Sequence, residues 1–377
     1  MRYISNIAEL VLGDGSSAPV DGWSSITCRL QLGSADELKV EMPMRTSDGK
    51  WRADLPAFQV GQLVDLYLGY DGRKTFFQRF ELVGHEQRYS SDSFEIHGLS
   101  ALAACARYKA ARVFTSEAEL IDQICADNAW VNRVDTSALT NMVLSKKAGV
   151  TDLEVLNKIA KWAKLGGPRV NNRGEFTMPH PDGSSPFVVY RGYNDYSNGG
   201  WPLIEFAPSR EGGNALLIEI TGWDPVEQAF VSTLFQPDEF SGDPVIVNQR
   251  RSLSSESSTT GLLLKLVEDH PDRTKKPRYE TLNGVVFGSE TDPVALAKRW
   301  FAFRERVSRW ADITVSGHPD LIAPHRAVNV VGDVAAVDRG VWLPQTIIHK
   351  IDSNGWQAEM NSIRVVEESS VIEGQPV

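Results

Sequence analysis

The chain has 377 residues, a length typical of about two to four domains. Its 42% hydrophobic and 23% charged residues are close to globular averages, which excludes a wholly disordered, collagen-like or coiled-coil chain. The 39 Lys and Arg against 49 Asp and Glu give a net charge of -10, which argues against a basic nucleic-acid-binding protein.

The first 98 residues have the pattern of a small β-barrel. Residues 26–32 (ITCRLQL) alternate apolar and polar side chains, the period of a half-buried strand. Residues 62–83 contain two more alternating runs around Asp71-Gly72, a turn that favours a hairpin, and residues 93–98 add a short strand. Several short strands at close spacing indicate an antiparallel barrel.

Residues 99–205 have a mixed pattern and form the predicted α+β domain. Residues 99–105 are rich in alanine and favour a short helix. Ser116 with Glu119 and Thr151 with Glu154 have the spacing of capping boxes, and an apolar stripe follows each pair. A short strand is expected at 175–178. The boundary is placed after the polar stretch 192–200.

The pattern of strands returns in the rest of the chain. We predict a second barrel from residues 206–236, which contain a hairpin at 214–235, and 311–366, which contain several strands. An insertion at 237–310 separates them. It contains a serine-rich run at 252–260, a basic loop at 275–278 and a helix at 291–310. Residues 367–377 are expected to be a flexible tail.

The predicted fold class is therefore α+β and mainly β. One chain has two similar small antiparallel β-barrels, separated by a small α+β domain, and an insertion interrupts the second barrel.

The inventory of reactive residues is thin. The three cysteines, Cys28, Cys105 and Cys125, are too few for a disulfide framework and form no CxxC pair. Seven histidines show no HExxH spacing, no GxSxG elbow is present, and Gly13–Ser17 lacks the lysine of a phosphate loop. His318 and His325 could meet in space, and each is better explained by a turn or a strand. We therefore predict no catalytic, cofactor-binding or metal-binding residues, no cofactor and no enzymatic activity.

The ten tryptophans allow two interpretations. Trp300 and Trp310 fall on one face of the predicted helix and indicate core packing, and Trp223 and Trp342 end apolar strands. Trp23, Trp51 and Trp201 lie in turn-rich contexts, where exposed rings serve either an interface or a carbohydrate.

Seven segments, taken in chain order, form a characteristic series. They are VGQLVDLYLGYDG at 60–72, FELVG at 80–84, FEIHGLSAL at 94–102, TDLEVLNKIA at 151–160, NAL at 214–216, the helix at 295–309 and VSGHPDLIAP at 315–324. In this order they resemble the tail hub proteins of contractile-tailed phages, over about residues 5–365. That family includes the Mu-like 43 kDa tail protein and the late control protein D family, and it is related to the hub portion of type VI secretion spikes. Pro324-His325 departs from the family's Pro-Gly, and residues 236–290 match no signature.

The resemblance implies a homotrimer in which each chain gives two similar barrels, so that three chains form a pseudo-sixfold ring. Such a ring joins the sixfold tail tube to the threefold central spike of the baseplate. Its implied partners are a second and third copy, the tail spike protein, and the tail tube or other baseplate proteins. Specific nucleic-acid recognition is not expected, although DNA passes through such a ring. The implied location is the virion tail baseplate.

Several expectations accompany this interpretation. The chain has no secretory leader and no apolar stretch of the ~18 residues that a membrane span needs, which predicts synthesis in the host cytoplasm and no membrane span. The ring lumen should be neutral or acidic so that DNA slides through it. The serine-rich run and the basic loop should face partners. The alternative functions are a cell-envelope carbohydrate-binding protein, resting on Trp23, Trp51 and Trp201, and a cell-wall hydrolase, resting on abundant carboxylates.

Overall fold

A computed structural model gives the fold. It describes residues 6–12, 22–53, 55–70, 73–107, 110–139, 144–146, 148–163, 165–171, 173–179, 186–191, 201–210, 216–226, 228–237, 244–251, 278–286, 293–307, 309–321, 324, 326–335 and 338–364. The expectations for the serine-rich run, for most of the basic loop and for the tail lie outside these residues.

Six antiparallel strands form the first unit. They are β1 (Asn6–Leu12), β2 (Ser25–Gln31), β3 (Glu37–Pro43), β4 (Leu63–Tyr70), β5 (Arg73–Arg88) and β6 (Ser93–Leu99). They pair in the order β1-β4-β5-β6-β3-β2. Every second side chain of β2 and β3 is buried, which matches the apolar–polar alternation of the sequence. The strands expected at 26–32, 62–83 and 93–98 are confirmed.

A small α+β segment follows. Its elements are α1 (Ala103–Arg107), β7 (Arg112–Phe114), α2 (Glu117–Asp127), β8 (Val131–Asn132), β9 (Leu144–Lys146), α3 (Asp152–Trp162), β10 (Arg169–Val170) and β11 (Glu175–Thr177). The Thr151 hydroxyl accepts from the backbone N–H of Glu154, whose carboxylate accepts from the N–H of Thr151, so this capping box is confirmed. At α2 only the Ser116 half forms, because the Glu119 carboxylate binds Thr115 instead.

The remaining elements belong either to the second β unit or to a separate sheet with its helix. The strands are β12 (Phe187–Arg191), β13 (Trp201–Arg210), β14 (Leu216–Asp224), β15 (Ala229–Pro237), β16 (Pro244–Arg251), β17 (Arg278–Val286), β18 (Arg309–Ser316), β19 (Val328–Gly332), β20 (Gly340–Asp352) and β21 (Gly355–Arg364). One helix, α4 (Pro293–Val307), precedes β18.

The second β unit is a closed barrel of six strands. Its pairing runs β12-β19-β20-β21-β18-β13, and β13 returns to β12. Numbered in chain order within each unit, both units have the same strand order, 1-4-5-6-3-2. They differ at the first strand, since β1 runs antiparallel to β4 whereas β12 runs parallel to β19. The two similar β units expected from the sequence are therefore present.

The topology corrects the assignment of two segments. The hairpin expected at 214–235 forms as β14 and β15, but its place in the second barrel is wrong, because it belongs to a separate sheet of order β16-β15-β14-β17. The barrel instead begins with β12 and β13, which the prediction assigned mostly to the α+β domain. The segment between β13 and β18 therefore contains this sheet and α4.

Hydrophobic burial explains these assignments. One core contains residues of both β units, among them Leu66, Phe80, Ile313 and Ile347. A second core joins the α+β segment to the separate sheet and α4, since Ile159, Ile220 and Leu296 all belong to it. The alternating residues of the hairpin thus face helices and not the barrel interior.

Candidate functional site

The two β units are joined edge to edge by β2 and β20. The pairing is antiparallel and runs from Ile26 opposite Ile351 to Gln31 opposite Thr346. On the inner side, Cys28 and His349 are opposite each other and completely buried. On the outer side, Thr27 and Arg29 are opposite Lys350 and Ile348. This joint makes one continuous sheet from the two β units.

A buried histidine stabilises the inner side of the joint. His349 Nδ1 accepts a hydrogen bond from the indole N–H of Trp356 at 3.0 Å, and Nε2 lies 3.1 Å from the carbonyl oxygen of Leu321. The ring packs edge-on against Phe77 of β5, at 4.8 Å between centroids. Burial lowers the pKa of His349 to about 4, so the neutral ring donates from Nε2 to Leu321. One residue therefore contacts both β units.

The position of the Trp356 ring requires a glycine at residue 317. A Cβ at Gly317 would overlap the indole ring, and the Gly317 N–H donates to the carbonyl oxygen of Trp356 at 2.8 Å. Only glycine allows β18 and the Trp356 ring to approach this closely.

The outer side of the joint holds a shallow groove of about 580 Å³, lined by both apolar and charged residues. Thr27, Arg29, Lys39 and His97 are among its lining residues. Lys39 Nζ lies 2.7 Å from Glu95 and Lys350 Nζ lies 2.6 Å from Glu359, so charges of both signs alternate over this surface. Charges arranged in this way solvate the sheet without forming a strongly basic surface.

One group on this surface has the residue types of a metal site. Ligand atoms of Glu86, Glu95 and His97 lie within 4.8 Å of one another. However, Arg88 binds Glu86 through two hydrogen bonds of 2.9 Å, and Glu95 contacts Lys39 and His97. Because cations and donors already satisfy these carboxylates, the group is better explained as an ion-pair network.

A buried carboxylate joins the first β unit to the α+β segment. Asp36 accepts from the backbone N–H of Gln31 at 3.0 Å and from the side-chain amide of Gln78 at 2.8 Å, and Arg169 of β10 lies 3.8 Å away. Its own N–H donates to Ser100. Burial raises the pKa of Asp36, and Arg169 opposes this effect. The network fixes the β2–β3 turn against β10.

Two glycines bring the same turn into close contact with the segment after α3. Gly33 has φ of +75°, donates to the carbonyl oxygen of Pro168 and accepts from the Asn157 side chain at 2.8 Å. A Cβ at Gly167 would collide with the Gly33 backbone. This contact holds the α+β segment beside the joint.

The tryptophans singled out from the sequence have different environments. Trp201 donates to the carbonyl oxygen of Ser316 at 2.6 Å and contacts His318, and Trp23 packs against the core of the β units. Trp51 is 54% exposed, lies edge-on to Tyr89 and is covered on its ring by Arg45 at 4.5 Å. Of the three rings proposed for a carbohydrate, only Trp51 is largely exposed.

The other tryptophans confirm core packing in one case. Trp300 packs against the second core and donates to Glu280 at 2.6 Å. Trp342, expected at the end of an apolar strand, lies within β20 and is buried inside the closed barrel. Trp310 is not on the helix, because α4 ends at Val307 and Trp310 belongs to β18. Trp223 is partly exposed beside Phe230. His318 accepts from the N–H of Asp320 in a turn, while His325 lies outside the described residues.

The chain contains residues at this site that sequence reasoning missed. Asp36 and His349 carry no motif, because their partners come from distant strands. β12 had a usable signal, since residues 187–190 form an apolar run (FVVY) of strand type.

In the described part of the chain, the helices are too short and too polar to cross a membrane.

Comparisons with known proteins agree on the fold. No protein-family model and no curated protein matches the chain. Its structure is similar to the 43 kDa tail protein of prophage MuSo2 from Shewanella oneidensis, with a TM-score of 0.62 at 15% identity, covering 96% of this chain and 98% of the other. A tail protein from Neisseria meningitidis gives a TM-score of 0.61 at 13% identity, covering 96% and 97%.

A third similar structure extends the comparison to secretion. It is an Escherichia coli component of the type VI secretion system that is itself similar to T4 bacteriophage tail proteins. The TM-score is 0.53 at 9% identity, covering 95% of this chain and 77% of the other. The resemblance to phage tail proteins is thus confirmed at the level of the fold, over almost the whole chain.

Proposed function

We propose that this protein is a structural component of a phage tail, the baseplate hub that joins the tail tube to the central spike. The observation that carries the proposal is the pair of β units with one strand order, joined edge to edge in a single chain. The similarity to prophage tail proteins over 96% of the chain supports the same role.

The duplication suits an adaptor between two symmetries. Three copies with two similar units each supply six similar building blocks around a threefold axis. A sixfold tube can contact all six units, while a threefold spike contacts the three chains. The partners we propose are therefore other copies of this chain, the spike, and the tube or other baseplate proteins, in a virion tail assembled in the bacterial host.

A non-catalytic role agrees with the use of the buried polar groups. His349 and Asp36 each bond to residues that hold strands or segments together. The carboxylates of Glu86 and Glu95 are engaged by cations. These contacts stabilise the joint and leave the groups without the freedom that acid–base chemistry needs.

We place the outer face of the joined sheet on the inside of the ring. Strand pairing puts eight carboxylates and five basic groups with described side chains on this face across β5, β6, β3, β2, β20, β21 and β18. They are Glu37, Glu41, Glu81, Glu86, Glu95, Asp312, Asp352, Glu359, Arg29, Lys39, Arg79, Arg88 and Lys350. A polar, slightly acidic wall does not retain the phosphate backbone of DNA.

The test is the assembly state. Light scattering over a range of concentrations should give three times the 41.7 kDa of one chain, and electron microscopy of the same sample should show threefold rings. A stable dimer or tetramer would contradict the proposal. Saturable binding of cell-wall oligosaccharide, lost on Trp51→Ala and kept on Trp310→Ala, would instead support the carbohydrate-binding alternative.

A further inference from the structure

Each strand of the β2–β20 joint has an equivalent in the other β unit, and among the described strands each equivalent has an edge that is unpaired over part of its length. β20 pairs first with β19, up to Trp342, and then with β2 from Thr346 onward, while β21 lies along its other side. β5 is the corresponding strand of the first unit. It pairs with β4 up to Glu81, and no described strand pairs with that edge after Leu82. The second half of β5 therefore offers the edge that β20 offers to β2.

The second partner also has a counterpart. β2 occupies strand position two in the first unit, and β13 occupies that position in the second. β13 pairs with β12 only at Trp201 and Pro202 and with β18 along its other side. Among the described strands, none pairs with the β12 side of β13 from Leu203 onward.

The bulges in the two long strands align the units residue by residue. β5 is irregular between Leu82 and Gly84, and β20 is irregular between Pro344 and Thr346. Matching these points makes Glu86 the equivalent of Ile348 and Tyr89 the equivalent of Ile351. Following the ladders through β6, β3, β21 and β18 makes Ser209 the equivalent of Arg29 and Phe206 the equivalent of Ile26.

We propose that β13 of one copy pairs antiparallel with the second half of β5 of another copy, with Ser209 opposite Glu86 and Ala207 opposite Arg88. This joint repeats the β2–β20 joint between chains. The inference rests on the proposed ring, because alternating internal and external joints close a cycle of six units when three copies meet.

Exposed side chains at these edges fit the proposal. Tyr89 is 72% exposed, whereas its internal equivalent, Ile351, is buried, and Ile204 of β13 is 54% exposed. Pairing would place Tyr89 opposite Phe206 and cover both rings. Tyr, Trp and Arg dominate the energetics of protein interfaces, and Tyr89 lies beside Trp51 and Arg45. Pro208 removes at most one donor from this edge.

Disulfide trapping tests the register. The variant Glu86→Cys with Ser209→Cys places two thiols directly opposite each other on one face, where Cβ atoms of paired strands lie about 5 Å apart. The native cysteines do not interfere, because all three are buried. Mild oxidation of the concentrated protein should give disulfide-linked species of two and three copies and none larger, and reduction should return the single chain.

A one-residue slip provides the matched control. Gln87→Cys with Ser209→Cys puts the two thiols on opposite faces of the sheet and should cross-link at least tenfold less, as should each single variant. Equal cross-linking in test and control pairs would overturn the register. Light scattering that shows a trimer without cross-links would overturn this pairing and leave the ring proposal standing. A monomer without cross-links at the highest concentration would count against both.

Discussion

At the scale of single residues, His349 shows how the joint depends on a neutral ring. Both of its nitrogens are used, one as an acceptor from Trp356 and the other as a donor to Leu321. A second proton would turn the acceptor at Nδ1 into a donor that faces the Trp356 N–H. Protonation therefore breaks the contact and places a charge in a fully buried site.

The first prediction concerns pH. Because burial lowers the pKa of His349 from 6.5 to about 4, the unfolded chain binds this proton more readily than the folded chain does. The stability from His349 is complete above pH 6.5 and falls as the pH drops from 6.5 to 4, by about 3 kcal/mol in total. Thermal unfolding measured over this range should show the loss.

Two variants separate His349 from other titrating groups. His349→Gln removes the titration, so its melting temperature should fall less steeply between pH 6.5 and 4 than that of the natural protein. Thr27→Ser changes a side chain without a titrating group on the outer side of the same joint and should keep the natural slope. A His349→Gln variant with the natural slope would show that other groups cause the acid sensitivity.

At the scale of elements, the second prediction concerns the network that holds the β2–β3 turn against β10. Asp36→Asn replaces one carboxylate oxygen by an amide donor, which cannot accept from Gln31 or Gln78, and it removes the negative charge beside Arg169. Breaking a buried ion pair at one partner costs about 3–5 kcal/mol. Urea unfolding should therefore show a clearly lower midpoint.

The control for this variant is an exposed aspartate in the same unit. Asp48 lies in a loop and pairs with Lys50 at the surface, so Asp48→Asn should leave the midpoint almost unchanged. Equal midpoints for the two variants would mean that the Asp36 network does not join the first unit to the α+β segment.

The helices and strands also show which features of the fold can be predicted from the sequence. Alternation predicted most strands of the two units, and the Thr151–Glu154 spacing predicted the start of α3, because both signals are local. Sheet membership is not local. β14 and β15 alternate as barrel strands do, but their apolar side chains share a core with Leu296 of α4 and Ile159 of α3, separate from the core of the β units.

The buried contacts at the candidate site could not be predicted from the sequence either, because they too are not local. Asp36 reaches Arg169 across more than a hundred residues of chain, and His349 reaches Phe77 across a still longer separation. Neither contact has a spacing that a motif could record. The joint between β2 and β20 pairs opposite ends of the chain, so only the three-dimensional structure places it.

At the scale of the whole molecule, one chain repeats a six-strand order and joins the two repeats through strands two and five. This internal joint leaves one edge of strand five of the first unit (β5) and one edge of strand two of the second unit (β13) partly unpaired among the described strands. Unpaired edges promote association with other chains unless they are protected. The proposed pairing with another copy would protect both edges.

The last prediction concerns the charge of the joined face. If this face lines a channel for DNA, the natural protein should bind duplex DNA weakly at about 150 mM salt, because its carboxylates outnumber its basic groups and screening is strong. Glu37→Lys with Asp312→Lys makes the face basic together with Arg29, Lys39 and Lys350. Fluorescence anisotropy should then show DNA binding that weakens steeply as salt increases. Asp48→Lys with Asp122→Lys changes the net charge equally away from this face and should bind less. Equal binding by the two variants would mean that net charge and not this surface controls contact with DNA.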